Sequence, residues 1–283
     1  MDKKILFSRM LKSKFFMVGA VLVLLIVLLS VFSPFIVQFD PVTNSLKDRL
    51  ISPEYFASGL SGHVFGTDDL GRDIFSRLLL GSRYSLFIAA AVVLVAAFIG
   101  TILGAVSGYF GGVTDMIIMR LCDIMMAIPN LVLAIAVMAI LGPNIFNLII
   151  VLIVTSWVQY CKVTRNNVMV VKNAEFVKAS QVLGAKKTHI MFRQIFPNVT
   201  TQLIILISQQ FGWTILTEAS LSFLSLGVQP PTPSWGNMIA DGRNYLITNP
   251  WMVFAPGIAL MITVLAFNFL GDGLRDVLDP KKI

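Results

Sequence analysis

Glu218 is the one charged residue in the apolar run 200–224, and a carboxylate held there can meet an ammonium group or a cationic complex. At about 1.5 Å per residue it sits roughly 27 Å along that run, near its outer end. The plainer alternative is a carboxylate hydrogen-bonded to a neighbouring helix. Asp115, Arg120 and Asp123 form a second charged group. Arg120 and Asp123 have the spacing that pairs side chains along a helix. Met125, Met126, Trp157, Gln209 and Trp213 are further candidates for lining a passage, each with core packing as its plainer reading. Hydrolytic chemistry lacks its parts. His63 and His189 stand in separate loops, and no His-Glu-x-x-His, Ser-His-Asp or paired-carboxylate arrangement is present. Gly184-Ala-Lys-Lys-Thr188 lacks the upstream Gly and the preceding strand of a phosphate loop. Cys122 and Cys161 have neither metal-ligand nor disulfide-framework spacing, and read as small packing residues. No enzyme activity and no cofactor or metal are expected in this chain.

The elements that must position these residues are membrane helices. Of 283 residues, 56% are hydrophobic and 13% charged, with a mean hydropathy of +0.81. A soluble domain carries about 25% charge, so the composition is that of a membrane protein. A net charge of +7 would suit nucleic acid in a soluble protein. Here the positive-inside bias accounts for it, and no nucleic-acid partner is expected. Six runs are long enough to span: 15–37, 85–110, 116–141, 145–161, 200–224 and 251–271. The fourth is short and ends in the polar stretch Gln159–Lys162. The first follows Lys3, Lys4, Arg9, Lys12 and Lys14. It is too long for a cleaved signal and reads as a signal anchor. With the N-terminus inside, the inner segments hold 15 Lys/Arg and the outer ones 6. Both termini and the 162–199 loop are therefore expected in the cytoplasm.

The expected organisation is an N-terminal anchor helix and outer loop, 1–84, then a core of 85–283. Glycines at 100, 104, 108 and 112 share a helix face and suit close helix packing. Pro129 predicts a kink in the third span, with gating as a less favoured role. Gln229-Pro-Pro-Thr-Pro-Ser-Trp-Gly236 is a stiff loop. Trp235 and Trp251 bracket it and suit a membrane interface.

The 162–199 loop contains Glu175-Phe-Val-Lys-Ala-Ser-Gln-Val-Leu-Gly184, then Phe196-Pro197. It reads as a short amphipathic helix with Phe176, Ala179, Ser180 and Leu183 on one face. Small residues at 179 and 180 permit a close partner. Gly184 can adopt the left-handed conformation that ends a helix. Pro197 suits the entry of the next span. These properties fit two occupants equally, a protein surface or lipid headgroups drawn by Lys172, Lys178, Lys186 and Lys187.

The stretch resembles the coupling loop of ATP-binding-cassette (ABC) importer permeases, Glu-x-x-x-Ala-Ala-x-x-x-Gly with Leu-Pro ending thirteen residues later. Glu175, Ala179, Gly184 and Pro197 match; Ser180 and Phe196 are substitutions. Two more stretches are similar to the dipeptide/oligopeptide/nickel branch, in particular the second of its two permease subunits. One is Phe65-Gly-Thr-Asp-Asp-Leu-Gly-Arg-Asp73 with Ile74-Phe75-Ser76-Arg77. The other is Ala266-Phe-Asn-Phe-Leu-Gly-Asp-Gly-Leu-Arg-Asp276 with Leu278-Asp-Pro280. Ser234 stands where many peptide-type members carry Glu. The resemblance implies an all-α, polytopic protein with six transmembrane helices and the type I importer permease fold, in a bacterial cytoplasmic membrane. It implies a homologous second permease subunit, two ATPase subunits that bind ATP and Mg, and an extracytoplasmic solute-binding protein, with lipid around the spans. Short peptides are the expected cargo, and nickel or a metal chelate the alternative. A stand-alone channel or secondary carrier would predict mid-membrane charges and an inverted repeat, and neither is visible.

Overall fold

Asp73 starts the longest element: its carboxylate accepts from the Ser76 amide at 2.7 Å and caps the helix that follows. The computed structural model describes residues 3–53 and 62–278. Its architecture is all-helical, with no strand among the described residues. The elements are α1 Lys3–Lys12, α2 Lys14–Val31, α3 Ser33–Ile36, α4 Ile74–Phe110, α5 Gly112–Met126 and α6 Asn130–Leu141. They continue with α7 Ile145–Lys172, α8 Glu175–Val182, α9 Lys187–His189, α10 Phe196–Phe223, α11 Trp235–Gly242 and α12 Trp251–Leu278. A π-helical turn, Ile190–Ile195, joins α9 to α10.

Five helical stretches are long and apolar enough to cross a membrane: α2, α4, α7, the continuous run Lys187–Phe223, and α12. The count becomes six when the pair α5–α6, bent by 82° at its break, is taken as one span. Pro129 ends up at the N-cap of α6. The expected kink is thus a full elbow, because Ala127, Ile128 and Pro129 all leave the helix.

Two spans are longer than hydropathy suggested. α4 has 37 residues, about 56 Å at helical rise. It starts eleven residues before the expected span, so the expected boundary at 84/85 falls inside a continuous helix. α7 continues past Cys161 to Lys172 because its polar end is paired: Lys162 reaches Asp123 at 3.2 Å and Arg165 reaches Asp115 at 2.5 Å.

α4 and α7 form the central pair. A Cβ on Gly100 would lie 2.4 Å from the Trp157 carbonyl oxygen, and one on Gly104 would lie 2.3 Å from that of Cys161. Gly108 meets Arg165 in the same way. Three of the four spaced glycines therefore serve close packing. Gly112 does not. It lies beyond the helix end, in a Gly111–Gly112 joint where both residues have positive φ and open space around them. α2 crosses α12 through Gly19 and Gly273, a contact between the chain's two ends.

Trp235 packs in the protein interior, and Trp251 is half-buried against it. Trp235 is buried and donates to the Leu78 carbonyl at 3.1 Å; Trp251 donates to that of Thr67 at 3.4 Å. Gly59, Asp279, Pro280 and Lys281 lie outside the described residues.

Candidate functional site

α8 is hung on the bundle by one apolar side chain. Val177 is fully buried and packs in a cluster with Val168 of α7, Ile190, Ile195 and Val199. The helix ends as its Gly predicts. Gly184 has φ +80°, its amide donates to the Gln181 carbonyl, and the Ala185 amide donates to that of Ser180 at 3.0 Å. Phe176, Ala179, Val182 and Leu183 face outward, Leu183 at 86% exposure. Glu175 and Pro197 are exposed as well, Pro197 in the first turn of α10. Ser180 flanks this face. Its hydroxyl donates to the Phe176 carbonyl at 3.0 Å and accepts from Gln194 at 2.7 Å, which ties α8 to the π-helical turn.

The basic residues divide in two. Lys178, Lys186 and Lys187 are exposed. Lys172 folds back: its Nζ donates to the Tyr109 carbonyl at 2.5 Å and lies 5.4 Å from the Tyr109 ring. It ties the end of α7 to the end of α4 and is not free for headgroups.

At the same end of the bundle, the expected Arg120–Asp123 pair is not formed. Asp123 accepts from Lys162 of α7 instead, and Asp115 accepts from Arg165. Arg120 is exposed and unpaired among the described residues. Spacing along one helix could not reveal partners supplied by another.

Glu218 lies near the opposite end and is 0% exposed. Its Oε2 accepts from Ser85 of α4 at 2.9 Å and its Oε1 from Ser222 at 2.7 Å. The Ser234 side chain lies close to the carboxylate. The plainer reading of Glu218 describes this structure: the carboxylate is hydrogen-bonded to serines of its own chain. Burying a carboxylate requires such donors, and they come from α4 and from α10 itself. Ser234 itself is buried and caps α11, accepting from the Asn237 amide and donating its own amide to the Asn237 side chain.

The remaining passage candidates divide as well. Trp157 is buried and Met125 is packed against the same cluster, so both are core residues. Trp213 is 58% exposed and Met126 57% exposed. Gln209 donates to Asp272 at 3.3 Å. Gln209, Trp213, Thr217 and Ser220 lie along one side of α10, Trp213 exposed and the other three half-buried.

The family profile of the binding-protein-dependent transport system inner membrane component matches residues 100–283. That of the N-terminal TM domain of oligopeptide transport permease C matches residues 4–53. The chain belongs to this family of transport permeases. It is 42% identical to the dipeptide transport system permease protein DppC of Haemophilus influenzae, over 94% of this chain and 90% of that protein. It is 41% identical to the oligopeptide transport system permease protein OppC of Bacillus subtilis, over 96% and 88% respectively. The glutathione transport system permease protein GsiD of Escherichia coli O6:K15:H31 is 39% identical over 94% and 86%. The permease is thus a multi-pass membrane component of a transport system rather than an enzyme.

One feature of the permease escaped sequence reasoning, the ion cluster at the α11 end. Asp68 accepts from Arg72 at 2.7 Å and lies 3.4 Å from Arg77, all three nearly buried. Arg72 also lies 3.8 Å from Asp241 of α11, and Arg77 donates to the Pro41 carbonyl. Burial pushes the Asp241 carboxyl above the usual carboxylate range, and Arg77 and Arg72 pull it back. His63 Nδ1 sits 3.0 Å from Asp73, with its ring against Phe39. The signal was a run of five charges in ten residues, 68–77, just before an apolar helix. Charges so placed are buried only when paired.

Proposed function

We propose that this permease is one half of the translocation pathway of an ATP-driven importer of di- and oligopeptides, with α8 as the helix that receives the ATPase. The observation that carries the docking role is the outward face of α8. Phe176, Ala179, Val182 and Leu183 are exposed on a helix whose inner side is pinned by Val177 and Gln194. A small, apolar, rigidly held face suits a protein groove better than water. The peptide reading rests on the relatives, which are described as carriers of dipeptides, oligopeptides and glutathione.

In this reading both termini and α8 face the cytoplasm of a bacterial cell, and the α11 end faces outward. A homologous permease subunit completes the pathway, two ATPase subunits bind ATP and Mg, and a solute-binding protein delivers cargo from outside. This chain needs no cofactor of its own. ATP binding closes the ATPase pair and displaces α8. The unbroken α7 carries that displacement into the bundle, which opens outward and accepts cargo. Hydrolysis resets it. The side of α10 with exposed Trp213 and half-buried Gln209, Thr217 and Ser220 supplies polar groups where the second permease or the pathway would lie.

The test is uptake of radiolabelled dipeptide and of nickel in cells that lack this subunit, complemented with wild type or Ala179→Arg. Wild type should restore dipeptide uptake, and Ala179→Arg should not, although it reaches the membrane. Restored nickel uptake without dipeptide uptake would overturn the cargo. Normal transport by Ala179→Arg would overturn the docking role.

A further inference from the structure

Three helices meet on one carboxylate near α8. Asp115 of α5 accepts from Ser107 of α4 at 2.5 Å. It also accepts both arms of Arg165 of α7, Nε at 2.5 Å and Nη2 at 2.7 Å. The Asp115 and Arg165 side chains are each 21% exposed. A two-armed, charge-assisted bond is stronger and more directional than a single-contact surface pair. The second pair on this seam, Lys162–Asp123, is single and more exposed, with side chains at 34% and 58%.

α5 lies between two breaks. Before it, Gly111 and Gly112 have φ of +68° and +56° with nothing where a Cβ would stand. After it comes the 82° elbow to α6. Loose joints at both ends leave α5 held from the side, by the packing of Cys122 and Met125 in the core and by its ion pairs. α7 is the opposite case. It runs unbroken to Lys172, and only Asn173 and Ala174 separate it from α8. A displacement of α8 therefore moves the end of α7 directly. It moves α5 only through what grips α5 from the side.

We propose that Asp115 and Arg165 are a positioning pair that makes α5 follow α7, so that work delivered at α8 reaches the α5–α6 elbow. The fork rests on the reading of α8 as the ATPase-docking helix. Its loss leaves docking and hydrolysis intact while the elbow no longer moves in step. A merely structural role would lower uptake and hydrolysis together; a coupling role lowers their ratio.

The test uses the complete transporter, with both permeases, the ATPases and the binding protein, in liposomes. Dipeptide uptake and ATP hydrolysis are measured in the same vesicles for wild type, Asp115→Asn, Arg165→Lys and Ala179→Arg. Asp115→Asn keeps shape and removes the charge. Arg165→Lys keeps the charge and removes the fork, and carries the test if Asp115→Asn does not assemble. Uptake per ATP should fall about fivefold or more in the fork variants, the scale of an ordinary coupling free energy, with binding-protein-stimulated hydrolysis retained. An unchanged ratio in the fork variants overturns the proposal. Ala179→Arg should lose the stimulated hydrolysis itself. If it does while the fork variants keep a normal ratio, only the fork proposal falls. If Ala179→Arg keeps both activities, the docking reading falls instead.

Discussion

A carboxylate shut away from water must find its donors within the protein, and Glu218 finds Ser85 and Ser222. Removing one donor leaves part of the acceptor unsatisfied, which costs about 1–3 kcal/mol. Ser85→Ala is therefore expected to lower the melting temperature of the purified permease in detergent, whereas Ser220→Ala, whose hydroxyl bonds only the Leu216 carbonyl of its own helix, is expected to leave it unchanged. The same burial sets the expectation for cargo. Glu218→Gln should slow uptake of free-amino and N-acetylated peptides to the same degree, because the carboxylate meets neither. A selective loss for free-amino peptides, measured in competition, would show that Glu218 becomes exposed during transport.

At the scale of elements, close approach and chain reversal each depend on particular glycines. A side chain at Gly104 would place its Cβ 2.3 Å from the Cys161 carbonyl oxygen. Neither backbone can yield without separating α4 from α7. Gly104→Val should destabilise the permease by about 1–3 kcal/mol or more, as overpacking does, read as a lower melting temperature and a smaller membrane-inserted fraction. Gly184 is constrained differently: nothing lies within 4 Å of its missing Cβ, but its φ is +80°. Gly184→Ala should cost roughly 1–2 kcal/mol of backbone strain. That strain falls on the end of α8 alone, so dipeptide uptake should drop while the melting temperature barely moves.

The whole molecule has two distinct ends. One gathers α8, Lys172 on Tyr109 and the Asp115–Arg165 fork; the other gathers α11 and the buried Asp68–Arg72–Arg77 cluster. The positive-inside bias assigns the first to the cytoplasm. Cysteine labelling by an impermeant reagent from outside should then modify Thr232→Cys and leave Lys186→Cys unmodified until the membrane is opened. The native Cys122 and Cys161 are both fully buried, so background labelling should be low. Labelling of position 186 from outside would invert the assigned orientation.

Much of this protein was legible in its sequence because local chemistry sufficed. Apolar run length predicts helices that span, since no other open structure satisfies its backbone in lipid. The Gly184 stop, the tight face of Gly100, Gly104 and Gly108, and the break at Pro129 each follow from what a missing Cβ or a missing N–H permits. What the tertiary structure decided were the partners of polar side chains. The Arg120–Asp123 pair was plausible on one helix, yet α7 supplies Lys162 to Asp123 and Arg165 to Asp115, partners that spacing along α5 does not show. Glu218 was a candidate for contact with cargo, yet the packing of α4 against α10 encloses it with Ser85 and Ser222. Hydropathy reads each residue against solvent, whereas a buried charge is governed by donors and counter-charges that only the packing of distant segments brings within hydrogen-bond reach.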